Sequence, residues 1–178
     1  MDFEAKKEDE QIGGMSEMNK TFSEPKPQIS RMEQLIAMAD VAIEKEDFIE
    51  ADKALSSANI IESKNQEVLL KHGYVLVVLE RLEDAKEAYE EVIKINDTED
   101  MAHVALANVL HKLGEDDASK RHHLRAIELD KNYAPHYFNY ANTLYDLNEK
   151  EDALSFYKIA FELDSSLEEA QKMIKELS

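Results

Sequence analysis

At 178 residues, with 43% hydrophobic and 34% charged residues, four glycines, three prolines and no cysteine, the chain has the make-up of a single helix-rich domain large enough to bury a core. A formal net charge of −18 disfavours nucleic acid and anionic membrane as partners, because binding there depends on Lys and Arg displacing counterions. The missing cysteines exclude disulfides, thiolate catalysis and cysteine-held metal, and no run reaches signal-peptide length or the roughly 20 apolar residues of a membrane span, so a soluble, cytoplasmic protein without membrane insertion is expected.

Residues 1–31 are polar, mixed in charge and without sustained periodicity, and they hold Gly13, Gly14, Pro25 and Pro27. This composition predicts a disordered tail. Met15, Met18 and Phe22 are its scattered apolar residues, available to dock on something.

From residue 32 the chain repeats with a period of 34. Ala39, Gly73, Ala107 and Ala141 share one column, and Ala51, Ala85, Ser119 and Ala153 a second. Ala58, Val92, Ala126 and Ala160 make a third; Ile61, Ile95, Leu129 and Leu163 a fourth; Leu55, Tyr89, His123 and Tyr157 a fifth. The copies run 32–65, 66–99, 100–133 and 134–167, each divisible into two amphipathic helices of about a dozen residues. Breaks are expected near Gly114 and Asn148, which tolerate a left-handed helix end. Ser30 with Glu33, Ser63 with Gln66 and Ser165 with Glu168 read as capping boxes. Residues 168–178 predict one further helix covering the end of the stack. Small residues in both helices of a copy let the backbones approach, and large residues fill the gaps. One pair cannot bury its apolar face alone, so the pairs should stack.

The 34-residue pattern resembles the tetratricopeptide repeat family. "HGYVL…AKEAY" supplies Gly73, Leu76, Ala85 and Tyr89, and the next-but-one copy supplies Tyr140, Ala141, Leu144, Ala153 and Tyr157. The slot usually filled by Trp holds Leu35, Leu69, His103 and Tyr137, and the late Pro slot holds Ser63, Asp97, Lys131 and Ser165. The resemblance implies an all-α, right-handed superhelical solenoid of four helix-turn-helix repeats plus a C-terminal capping helix, without enzymatic activity or cofactor.

In this family the first helix of each repeat lines a concave face. The resemblance therefore places there Ile36, Asp40 and Ile43; Leu70, Tyr74, Val77 and Val78; Met101, Val104, Asn108 and His111; and Phe138, Asn142, Tyr145 and Asp146. The expected function is a scaffold or adaptor that holds a basic or amphipathic peptide, or a helix of a protein partner, in this groove. Asn108 and Asn142 offer a donor and an acceptor to an extended backbone, and Tyr and Met offer adaptable apolar contact. The alternative is a self-assembling component whose groove is filled by its own tail or by a second copy. A carboxylate clamp of the kind that grips chaperone C-termini is not expected. Asn108 and Asn139 sit on its two Asn slots, but Val104 replaces the basic residue before them.

The six histidines form neither His-x3-His nor H-E-x-x-H spacing, and no phosphate-binding or dinucleotide glycine pattern occurs, so no metal site and no catalysis are expected. His103 and His136, from adjacent copies, could meet. "KRHHLRAIELD" (120–130) stands out as basic: the third copy carries five basic and six acidic residues. The period assigns His122 and His123 to framework slots. Asp116 with Lys120 and Asp117 with Arg121 are expected as i,i+4 pairs, with Lys120, Arg121 and Arg125 on the outer face. Protonating His123 in such a slot should reduce stability.

Overall fold

The computed structural model describes residues 29–178. The expected tail, apart from its last three residues, lies outside them, and so do Met15, Met18 and Phe22. The described residues form nine α-helices and no strand: α1 (Arg31–Glu44), α2 (Phe48–Ile61), α3 (Gln66–Val78), α4 (Leu82–Ile95), α5 (Asp100–Lys112), α6 (Asp116–Leu129), α7 (Ala134–Asp146), α8 (Lys150–Leu163) and α9 (Glu168–Leu177). Consecutive helices pack on one another, pair after pair, and α9 closes the far end against α8.

The columns of small residues explain this arrangement. Ala39, Ala107 and Ala141 are fully buried, as are Ala51, Ala85, Ser119 and Ala153, and Ala58, Val92, Ala126 and Ala160. Each lets a neighbouring helix approach, and the fifth column then fills the space: Leu55, His123 and Tyr157 are wholly buried and Tyr89 nearly so. Burying one such side chain contributes roughly 1.5–3 kcal/mol. The fourth column behaves differently. Ile61, Ile95 and Leu163 are exposed at the ends of α2, α4 and α8, so their repetition marks a helix end and not the core.

Gly73 is the tightest point. A Cβ there would lie 2.6 Å from Cε1 and Cζ of Tyr89, inside any real contact distance. Gly73→Ala is expected to destabilise by about 1–3 kcal/mol, net of its gain in helix propensity. Adding Tyr89→Leu, which copies Leu55 opposite Ala39, should restore most of the loss. Urea titration of both variants checks this; a raised midpoint for Gly73→Ala alone would contradict it.

The turns within pairs share one device. Glu46 (φ 58°), Glu80 (φ 59°), Gly114 (φ 78°) and Asn148 (φ 62°) occupy the same column in left-handed conformation. Gly114 and Asn148 were expected; two glutamates were not, since a residue with a Cβ is strained there. The three-residue connection between packed helices dictates the conformation, and the packing absorbs its cost.

Three expectations are corrected. Tail and helix meet one residue early: Ser30 caps α1, accepting from Glu33 N at 3.1 Å, with the Glu33 side chain returning to Ser30 N as the capping box requires. The box at Ser63 is replaced by Asn65, whose side chain accepts from Val68 N at 3.1 Å. The box at Ser165 does not form, because Leu167 is the N-cap of α9. In both cases the four residues between helices are needed to turn the chain, which moves the helix start past the serine.

The i,i+4 pairs of α6 are corrected too. Lys120 reaches Glu149 at 2.5 Å, while Asp116 Oδ1 accepts from the His111 ring Nδ1 at 2.8 Å. Lys120–Glu149 belongs to a repeating set that joins each second helix to the next pair. Lys86–Glu115 (2.7 Å) is its equivalent one copy earlier, and Asp52–Arg81 (3.1 Å) carries it with the signs reversed. Partly exposed pairs of this kind contribute about 0–1 kcal/mol each. Arg125 pairs with Glu128 at 3.4 Å, and Arg121 is exposed. The basic cluster is therefore split: Lys120 serves a junction, and the two arginines face outward.

Candidate functional site

The face expected to be concave is one side of α1, α3, α5 and α7, whose other sides pack on the neighbouring second helices. Its residues divide into free and committed groups. Tyr74 is 48% exposed and Met101 50% exposed, with Val78 and Asn108 also open to solvent. Among the described residues Asn108 has no side-chain hydrogen bond, so its amide is available. Tyr74 stands edge-on to Phe48, with ring centroids 6.3 Å apart, which steadies one face of its ring and leaves the other outward. Ile36, Ile43, Leu70 and Val77 are half-buried, packed on the core clusters beneath them.

The fourth repeat's share is committed to its own wall. Asn142 Oδ1 accepts from the Tyr157 hydroxyl at 2.7 Å. Burial, reinforced by Asp146, pushes the Tyr157 phenol up to about 12, so it stays a donor. Phe138 lies against the Tyr157 ring at 5.6 Å, and Tyr145 donates to Glu176 of α9 at 3.1 Å. Asn108 and Asn142, equivalent in sequence, are thus not equivalent in chemistry. Val104 is a correction: it is 4% exposed and so is buried in the wall, not open on the groove. His111 bridges Asp116 and, at 3.6 Å, Asp146.

Charge on the face is paired. Lys71 lies 2.5 Å from Asp40 and 3.0 Å from Glu67. Burial pulls its ammonium down, but the two carboxylates outweigh this and raise it above the ordinary value. Lys71 shares the column of Asn139, an Asn slot of the clamp, and its two carboxylate partners leave it unavailable to a ligand carboxylate.

The histidines resolve into separate contacts. His103 Nδ1 meets His122 Nδ1 at 2.9 Å, and His103 Nε2 lies 3.1 Å from the Asp97 carbonyl. A neutral His103 donating to that carbonyl leaves its Nδ1 as acceptor, so His122 donates. His136 Nε2 pairs with Asp100 at 2.7 Å; the meeting with His103 that their adjacent copies allowed is not among its hydrogen bonds. His123 Nε2 contacts Thr143 Oγ1 at 2.9 Å, with its ring stacked on Tyr140. The His103–His122 contact lies within the third pair, whereas His136–Asp100 and His123–Thr143 join the third and fourth pairs. Among the described residues no group of three His, Asp or Glu could hold a metal ion, and no helix is long and apolar enough to cross a membrane.

Sequence reasoning missed one concavity. A groove of about 620 Å³ opens at the N-terminal end of the stack, floored by Ile29, Ala37, Met38, Val41 and Ala42, and rimmed by Gln34, Lys45, Asp47 and Glu50. The signal was present in the columns: α1 carries apolar residues at slots that later first helices bury against a preceding pair, and among the described residues no pair precedes α1.

A family model described as tetratricopeptide repeat matches residues 66–99, the span of the second copy, and α3 and α4 form a helix pair over it. Residues 66–99 are similar to a tetratricopeptide repeat. Solved tetratricopeptide-type structures share its fold. A MamA protein superposes with a TM-score of 0.72 at 22% identity, covering 83% of this chain and 80% of its own. MamA from Desulfovibrio magneticus RS-1 does so at 0.73 and 15% identity, over 84% of each chain. YrrB, described as a TPR protein with an unusual peptide-binding site, superposes at 0.72 and 21% identity, over 81% of this chain and 74% of its own. No curated protein matches the chain. At these identities the likeness concerns the fold. Tetratricopeptide repeat proteins generally mediate protein–protein interaction without chemistry of their own.

Proposed function

We infer that the chain is an adaptor holding an extended segment of a protein partner on the middle of its concave face, at Tyr74, Val78, Met101 and Asn108. The observation that carries this reading is the conjunction of two half-exposed apolar side chains, Tyr74 and Met101, with the free amide of Asn108. Apolar surface of this kind is costly to leave in water and characteristically marks an interface. The amide pairs with a peptide backbone while the two large side chains cover alternate residues of the ligand. A pre-formed stack loses little entropy on binding, so most of the ordering falls on the ligand. The peptide-binding site named for YrrB lends the reading support from a protein of the same fold. The acidic character of the chain favours a ligand with basic residues flanking an apolar core.

The test begins with peptides selected against the full chain from a random library. Tyr74→Ala with Met101→Ser is expected to weaken the selected peptides more than 10-fold, and Asn108→Ala by roughly 2- to 10-fold, the range of one hydrogen bond. Circular dichroism and melting should be unchanged, because none of these side chains is part of the core. Asn142→Ala serves as the contrast: it loses the bond from Tyr157 and is expected to lower stability instead. Selected peptides that bind the Tyr74 and Asn108 variants as tightly as the wild type would place the interface elsewhere.

A further inference from the structure

The second pair departs from the later ones at a single column. In the third pair the column of Ala88 holds His122, whose ring stacks on that of His103 with centroids 5.2 Å apart. In the fourth pair it holds Phe156, which stands edge-on to Tyr140 at 4.6 Å and lies 6.3 Å from Tyr137. A ring therefore plugs the same place twice, between a second helix and the first helix of its own pair. Ala88 supplies no ring, and a groove of about 610 Å³ opens there between α2, α3 and α4. Asn59 lines it in the column where later copies carry Ile93 and Ile127, so the wall is more polar than the repeat predicts.

The floor of the groove keeps the form of a ring seat. Leu69 and His72 stand in the columns of Tyr137 and Tyr140, the two residues against which Phe156 packs. Asp52 accepts from His72 Nε2 at 2.7 Å, which fixes the His72 ring. The rim is acidic: Asp84, Glu87, Glu90 and Glu91 stand against Arg81 and Lys94. Both cations are already engaged. Arg81 pairs with Asp52 at 3.1 Å and Asp84 at 2.7 Å, and Lys94 pairs with Glu91 at 3.2 Å. Lys86 of the same helix is held by Glu115 at 2.7 Å. Glu87 and Glu90 form no salt bridge among the described residues.

We propose that this groove binds the guanidinium of an arginine presented by a protein partner. A guanidinium is planar and weakly hydrated, stacks on rings, and forks onto carboxylates. It matches the place that a His or Phe ring takes in the later pairs, with its flat face over Leu69 and His72 and its N–H groups toward Glu87 and Glu90. A lysine has the charge without the flat face, and a phenyl ring would leave the carboxylates unmatched. An anion is disfavoured by four carboxylates around two committed cations. Among the described residues no group of three His, Asp or Glu could hold a metal ion. The net charge of −18 adds long-range attraction for a basic partner. None of these residues belongs to the set at Tyr74, Val78, Met101 and Asn108, so this is a second contact point.

The test titrates N-acetyl-argininamide into the isotope-labelled full chain and follows amide chemical shifts. Saturable shifts are expected in α3 and α4 around His72 and Ala88, and N-acetyl-lysinamide should bind at least roughly 3-fold more weakly. Ala88→Phe, which copies Phe156, should plug the groove and abolish the shifts. Glu87→Gln with Glu90→Gln should weaken binding roughly 3- to 10-fold. This second variant decides the question on its own, because neither glutamate is part of the core. Tyr74→Ala with Met101→Ser should leave argininamide binding unchanged, which separates this groove from the site proposed above. No saturable shift in the wild type would overturn the proposal. So would equal affinity for the two probes, or undiminished argininamide binding in the glutamine variant.

Discussion

Tyr157→Ala is expected to lower the stability of the chain by about 3–5 kcal/mol, the range for deleting a buried aromatic side chain. Tyr157 is wholly buried between α7 and α8, touches the Phe138 ring, and holds Asn142 by its hydroxyl. Its removal opens a cavity at the point where the fourth pair meets, and α9 leans on the same cluster. Tyr157→Phe keeps the ring and loses only the hydrogen bond, so a cost of about 0.5–1.5 kcal/mol is expected. Because each pair contacts only its neighbours, the damage should stay local. In the Ala variant, amides of α7, α8 and α9 should exchange well before those of α3 and α4, and the urea transition should broaden. A loss below about 1 kcal/mol for Tyr157→Ala would show that the fourth pair does not depend on this ring, contrary to the mutational range for buried aromatics.

Acid should destabilise the junction of the third and fourth pairs. His123 is wholly buried, its Nε2 on Thr143 and its Nδ1 without a partner. A neutral ring with its proton on Nε2 suits this site; a second proton on Nδ1 would find no acceptor. Burial, followed by His111, His122 and His136, pushes its pKa down to about 3, against about 6.5 in an unfolded chain. The unfolded state then binds the extra proton between these values. Stability from the neutral ring is fully present above about pH 6.5 and is lost as the pH falls toward 3. At pH 5 the loss relative to pH 8 is about 2 kcal/mol. His122 has the same sign: burial first, then His103 and Arg121, lower it.

The variant that isolates His123 is His123→Leu with Thr143→Val, which borrows the Leu of the equivalent slot at residue 55 and removes the hydroxyl left behind. Its free energy of unfolding should fall by about 2 kcal/mol less than that of the wild type between pH 8 and pH 5. Parallel pH profiles for the two proteins would assign the acid sensitivity to other groups.

The helices and the repeat are legible in the sequence, but only part of the face that the repeat presents is. Ala39, Gly73 and their columns were readable because a solenoid contact is made by the same slot in every copy, so burial leaves a mark at period 34. The stretch around His122 and His123 was correctly read as wall for the same reason. Partners were harder to read. Lys120 prefers Glu149, 29 residues away, over Asp116 four residues away, because the neighbouring pair brings Glu149 closer than the helix brings Asp116. Ser63 and Ser165 had the right composition for caps, but the length of the connections set the helix starts elsewhere.

The amino-acid sequence by itself determined an all-α stack of two-helix units and the small residues that let its helices touch; the family resemblance added the expectation that α1, α3, α5 and α7 line the inner face. Only the tertiary structure decided which inner residues are free. Asn108 and Asn142 share a slot, yet one amide is open and the other is held by Tyr157; Val104 shares its helix with Met101, yet one is buried and the other exposed. It also showed that α9 closes one end of the stack and that an apolar groove lies at the other. The reason is physical. Periodicity averages over copies and records what every copy buries, whereas hydrogen bonding depends on individual neighbours, and the ends are where the repeat loses them.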